Sequence, residues 1–322
     1  MFSTVLQELK ANLGRDFLFS AFFPVLFFVG TSIALFIEIT RGLGASLDAW
    51  VKLPAQIQAL YILSGLIIVI FLAYLIRNFQ YVINRLFEGY WSRIPILAGL
   101  RKFRVKLYKK HWEYLDALAR STSTLQEAIE IIAEQLAFYP PPNHLDKLMP
   151  TRIGNILRAA EIYAYDRYGI DSTIIWTRLR PLLKTEAIEP LEDKKTTLDS
   201  MLLMSFLATI FTIVWCPVLA IYTDRWDLFL LCAFGLPLAW ICYQTAVQSA
   251  LAYGEQIKAT FDLYRNDLLK TLNRPIPSDA DAERKEWLRL TRFFYRNLPL
   301  PISSTVSDKL ESRDRLIDTE AD

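Results

Sequence analysis

The chain has 322 residues, 53% of them hydrophobic and 22% charged, with a net charge of +2 and a mean hydropathy of +0.23. It is too apolar for an ordinary soluble domain and too charged for a chain wholly in lipid, so composition implies a membrane protein with a substantial polar part. Cys216, Cys232 and Cys242 all fall in apolar stretches, so neither a disulfide framework nor a zinc knuckle is readable, and with only His111 and His144 as histidines no metal or cofactor is implied.

Residues 1–16 place Val5, Leu6, Leu9 and Leu13 at helical spacing opposite Lys10 and Arg15, the pattern of a short helix lying on a membrane face. Residues 17–37 then contain no ionisable side chain. At about 1.5 Å per residue they make a helix of about 30 Å, the thickness of a bilayer core. The run is too long for a signal peptide and no A-x-A-like cleavage site follows, so it reads as a retained span. Pro24 is expected to kink it. In the linker 41–55, Ser46 is placed as an N-cap and Trp50 as an interfacial anchor.

The second span covers about 57–76. Its stripe continues past Arg77 through Phe79, Val82, Ile83, Leu86, Phe87 and Tyr90, so the helix is expected to project from the bilayer and pack on partners. Between 77 and 110, Arg77, Arg85, Arg93, Arg101, Lys102, Arg104, Lys106, Lys109 and Lys110 face one acid, Glu88. The positive-inside rule makes this stretch cytoplasmic and both termini with it. Arg101, Lys102, Arg104, Lys106, Lys109 and Lys110 are expected to meet anionic lipid headgroups, each worth about 1 kcal/mol near the surface. Phe103, Tyr108 and Trp112 interleave with these charges, but no nucleic-acid module is recognisable and no such partner is expected.

The insert to 199 reads as short helices, two of them over 111–120 and 123–138. Thr124 and Glu127 match a capping box, and Pro140-Pro141-Pro142 breaks the chain. No alternating run long enough for a strand occurs. Two more spans follow. The first, 201–222, is interrupted at Cys216-Pro217, and the second, 228–247, carries Gly235 and Pro237. The link 223–227 is short enough to make them a tight hairpin. Pro24, Pro217 and Pro237 are the candidate gating hinges. The stripe Tyr253, Ile257, Phe261, Tyr264, Leu268 and Leu272 carries the last span into the cytoplasm. Residues 273–277 stop it, a helix over 280–297 bears Trp287, Leu290 and Phe294, and the chain from about 303 reads as disordered.

The densest polar constellation is 150–171. If Thr151 caps a helix, its free N–H groups with Arg152, Asn155 and Arg158 suit an anion or phosphate, and Gly154 allows close approach of a backbone or ligand. The plainer alternative pairs Arg152 and Arg158 with Glu161 and Asp166 to hold a short helix that Gly169 terminates. His144 and Asp146 could form an acid–base pair, against which stands an ordinary surface histidine. No G-x-S-x-G, H-E-x-x-H, P-loop or dinucleotide fingerprint occurs, and no enzyme is expected. Ser20, Thr31, Ser32, Ser64, Ser205, Thr209, Thr212, Gln244 and Thr245 lie within the spans. Such groups glue helices more often than they line pores.

The order PTRIGNILRAAE, DRYGID and IIWTRL, at 150–161, 166–171 and 174–179, resembles an uncharacterised family of bacterial four-span membrane proteins. That family carries a PTRxGNxLRAAE…RYGxD motif in a cytoplasmic insert between two helical hairpins. LFEGYW at 86–91 and AYGEQIKATFDLYR at 252–265 are weaker echoes. The resemblance implies a bacterial cytoplasmic membrane and brings no activity with it. In topology alone the chain is also similar to bestrophin-type anion channels, whose Arg-aromatic-aromatic-Glu stretch compares with 85–88, where Leu86 breaks the aromatic pair.

The sequence therefore predicts an all-α integral membrane protein with four transmembrane helices in two hairpins and a helical cytoplasmic layer. Its divisions are 1–76, 77–199, 200–249, 250–302 and 303–322. The projecting stripes need covering, which predicts a homo-oligomer. The leading functional expectation is an oligomeric channel or membrane-permeabilising effector regulated through the cytoplasmic layer. The alternative is a non-conducting anchor or sensor that recruits a protein or binds a small anion.

Overall fold

The structure, a computed structural model, describes residues 17–91 and 95–296. The expected amphipathic start over 1–16, Arg93 and the tail from 303 lie outside the described residues. Among the described residues the regular elements are all helical and no strand occurs. Four stretches are long and apolar enough to cross a membrane: Leu18–Thr40, Ala55–Glu88, Thr185–Tyr222 and Trp226–Thr271.

The first stretch opens with a π-helical turn, Leu18–Phe22, and continues as α1, Phe23–Thr40. The Phe23 N–H donates to the Leu18 carbonyl, five residues back. Pro24 follows at once and is buried. It has no N–H to give, and its ring would collide with the carbonyl four residues earlier in a regular turn, so the wider π turn makes room for it. The linker then departs from expectation, because Leu43–Val51 forms a helix, α2, with Ser46 inside it. Gly42 takes the N-cap position at φ +79°, and the Glu38 carboxylate accepts from the Leu43 N–H at 2.7 Å, one of the free donors of the first turn.

Helix α3, Ala55–Glu88, is a single helix of 34 residues that carries the second apolar segment well past residue 76. Its Val69, Ala73 and Ile83 are buried against Phe17, Ala21, Phe22, Val25 and Leu203. Only 11% of its apolar window is buried, against 33% for the first and third, so it is the least covered of the four.

Helix α4, Pro95–Ser121, starts well before the predicted 111 and carries the whole run from Arg101 to Lys110. Lys, Arg and Leu are strong helix formers and no proline intervenes, so the helix extends through the charges. Thr124 precedes α5, Leu125–Phe138, but its side chain makes no cap bond, and the predicted capping box is not formed. Trp112 and Leu115 of α4 pack with Tyr139 and Leu148. A 3-10 turn at Pro142–Lys147 leads into α6, Arg152–Tyr168, and α7, Ser172–Leu179.

Helix α8, Thr185–Tyr222, runs unbroken for 38 residues through Pro190 and Pro217, and the expected division at 199 falls inside it. Pro217 forfeits only its own bond to the preceding turn. The helix continues to Leu219, which is packed with Leu35 and Cys232. The break comes in the fourth stretch instead, at Phe234, between α9, Trp226–Ala233, and α10, Gly235–Thr271. Pro237 is third in α10, where its missing N–H leaves no helix bond unmade. A Cβ at Gly235 would strike the Thr212 hydroxyl of α8, so this glycine is what lets the two helices touch. The Thr212 hydroxyl in turn lies 3.0 Å from the Cys232 carbonyl. Helix α11, Ala280–Arg296, closes the polar layer, where Ile170, Ile175, Phe261, Leu269, Trp287 and Leu290 form a core from α7, α10, α11 and the end of α6.

Candidate functional site

The motif at 150–171 builds helix α6 and seats it on the end of α3. Thr151 caps α6, its Oγ1 accepting from the Gly154 N–H at 3.0 Å. Asn155 is 1% exposed and clasps the preceding turn: its Nδ2 donates to the Met149 carbonyl at 3.0 Å and its Oδ1 accepts from the Met149 N–H at 2.7 Å. Gly154 then lies flat against α3, because a Cβ there would overlap the Glu88 carbonyl oxygen. Gly89 answers it, with φ +91° and a Cβ position 2.5 Å from Pro150 Cγ, so both glycines are demanded by the contact. On its other side α6 buries Ile153 and Ile156 against Leu198, Leu202, Ala246 and Ala250 of α8 and α10.

Charges surround this joint. Arg158 pairs with Glu161 at 2.7 Å and donates to the Tyr90 hydroxyl at 2.9 Å. Arg85 lies 3.6 Å from the centre of the Tyr90 ring, donates to Tyr81 at 3.0 Å and stands 3.9 Å from Glu88. Glu88 is twelve residues beyond the apolar segment ending near 76. Burial pushes its carboxyl up to about 7; Arg85 and Arg158 oppose that and Glu161 and Asp199 reinforce it. Burial raises Glu161 as well, against Arg158. A second tie runs to α8, where Asn84 Nδ2 donates to Asp199 Oδ1 at 2.7 Å and Gln80 donates to the Asp199 carbonyl at 3.0 Å. Sequence reading missed Gln80, Asn84, Tyr90 and Asp199 as a group. The one signal was two amides spaced four apart beside an otherwise apolar stripe.

Next to the joint, α4, α5 and the first turn of α6 line an open cavity of about 490 Å³. Arg104, Tyr108 and His111 come from α4, Glu134 and Phe138 from α5, and Tyr139 and Arg152 from beyond it. The Arg152 guanidinium stacks 4.2 Å from the Phe138 ring centre. Arg104 Nη2 donates to Tyr108 at 3.0 Å and its Nε to the Pro150 carbonyl at 3.3 Å. His111 Nδ1 is 2.8 Å from the Tyr139 hydroxyl. Burial pushes the Tyr139 phenol up to about 12, which keeps its proton in place.

The four residues expected to form one anion pocket are therefore divided. Thr151 and Asn155 are spent on the turn, Arg158 faces the joint and Arg152 faces the cavity. Of the plainer pairings, Arg158–Glu161 is present, whereas Asp166 meets His144 at 2.7 Å. Lys102, Lys106, Lys109 and Lys110 are exposed on α4 and Arg101 is half-buried, while Arg104 turns inward to Pro150 and Tyr108. No family model, curated protein or solved structure matches this chain, so its function is argued from its own residues.

Proposed function

We propose that this chain is a four-span sensor of a bacterial cytoplasmic membrane, built from two transmembrane hairpins with both termini and the polar helical layer in the cytoplasm. A change in that layer is passed to the second span through the joint between Gly89 and Gly154. One observation carries this reading: the first turn of α6 rests on the last turn of α3, with Gly154 against the Glu88 carbonyl and the side chains of Pro150 and Thr151 against Gly89. Packed elements in such contact move together. The basic run on α4, directly after α3, supports the orientation. The exposed lysines Lys102, Lys106, Lys109 and Lys110 are placed to meet anionic headgroups. Conservative disturbance of the joint, Tyr90→Phe or Arg158→Gln, should alter hydrogen exchange across 41–58, at the opposite end of α3. Unchanged exchange there would refute transmission.

A second reading, an oligomeric channel or permeabilising effector, is favoured by the sparse cover of α3 within one chain. Several span hydroxyls are occupied by helix contacts. Ser205 donates to the Ala239 carbonyl at 2.9 Å, Trp215 Nε1 donates to Ser32 at 3.1 Å, and Thr31, Ser64, Thr209 and Thr245 donate to their own helices. A conducting path would then form between copies along α3. Reconstituted vesicles separate the readings: a sensor leaves them as tight as empty vesicles, and ion flux above that background establishes the channel.

A further inference from the structure

We infer that the cavity between α4, α5 and the start of α6 binds a phosphate-bearing anion, with Arg104 and Arg152 as its charge partners. The inference rests on the sensor reading and names the class of molecule sensed. The two guanidiniums come from separate elements and line the same space, and neither meets a carboxylate within ion-pair distance among the described residues. Glu134, exposed on α5, is the one acid that lines it. Two other cavities differ in this respect. The one of about 450 Å³ near α3 and α8 has Arg180 and Lys195 already paired with its acids Glu192 and Asp199, which among the described residues leaves Arg77, lying 5.5 Å from the Phe17 ring centre, as its single cation outside an ion pair. The one of about 520 Å³ beside α10 sets Asp166, Glu255 and Asp262 against Arg167 and Lys258, with Lys258 bonded to Glu255.

The chemistry of the lining suits an oxyanion such as phosphate. A guanidinium presents paired N–H donors that match two phosphate oxygens, and Phe138 holds the Arg152 plane from behind. The 17-residue helix α6 begins at Arg152, which lines the space from the first turn. The space exceeds what inorganic phosphate fills, and the aromatic walls Tyr108, Phe138 and Tyr139 suit the organic part of a phosphate ester. That ester could be soluble or a phospholipid headgroup. Both present the same oxygens.

The test uses the full chain in phosphatidylcholine nanodiscs, titrated calorimetrically with inorganic phosphate and with pyrophosphate. Saturable binding is expected, weakened about tenfold or more by Arg152→Gln, as removal of a charge-assisted bidentate contact implies. Glu134→Gln removes the opposing charge and should strengthen binding several-fold, which keeps the test decisive if an arginine variant folds poorly. Lys285→Gln, exposed on α11 and outside the cavity lining, should leave binding within about twofold, as expected for a screened surface charge. A second arm uses nanodiscs containing phosphatidylglycerol. Loss of the phosphate signal there, restored by adding less of that lipid, identifies a headgroup as the source; an unchanged signal identifies a soluble ester. Absence of saturable binding in phosphatidylcholine discs, or binding that neither Arg152→Gln nor Glu134→Gln alters, overturns the site. Binding with unaltered exchange at 41–58 keeps the site and refutes transmission instead.

Discussion

Burial lets Glu88 keep its proton to a higher pH than a carboxyl in water does. Its neighbours are Arg85, Arg158, Glu161, Asp199 and Tyr90, and burial dominates, raising it from the ordinary 4.5 to about 7. A raised carboxyl binds more protons folded than unfolded, so its stabilising contribution is complete below about 4.5 and is lost as pH rises through about 7. The upper bound of that change is about 3 kcal/mol. Glu161 acts in the same direction. The joint should thus loosen between about pH 5 and 8, read as lower hydrogen-exchange protection factors at 85–91, and Glu88→Gln should flatten most of that dependence. A pH-independent wild type would contradict the assignment. Gly154→Ala should cost about 3 kcal/mol or more, lowering the thermal midpoint by about 5–10 °C for a chain of this size. The Thr151 cap and the room for close approach at Gly154 were legible as candidates in the sequence, because both are written in neighbouring residues. What Gly154 touches was not, since the Glu88 carbonyl arrives from 66 residues away.

At the scale of elements, the long apolar helices were legible and their ends were not. Period and length mark a span, but whether a helix passes through a proline or a run of lysines depends on what packs beside it. Helix α8 continues through Pro217, whereas the fourth stretch breaks at Phe234, where Gly235 meets Thr212. Two substitutions distinguish these devices. Thr212→Val removes the contact to the Cys232 carbonyl and should lower stability by about 1 kcal/mol in a detergent unfolding series. Pro237→Ala, at a helix position that needs no N–H partner, should stay within about 0.5 kcal/mol. If Pro237→Ala proved the more damaging, the break would belong to the proline and not to the glycine contact.

For the whole molecule, α3, α8 and α10 each run from the apolar helices into the polar layer, where α6 packs against all three. The apolar half of α3 packs on the first and third stretches, and its far end rests on α6 and bonds to α8. The layer's existence was legible from the stripes on α3 and α10. Its assembly was not, because Asn84–Asp199 and Arg158–Tyr90 join residues far apart in sequence. The most direct measurement is hydrogen exchange on the full chain in nanodiscs, comparing wild type with Gly154→Ala. Elements that form one cooperative unit open together. Segments 80–91 and 152–168 should lose protection together in the variant. Loss confined to 152–168, with 80–91 as protected as in the wild type, would contradict it.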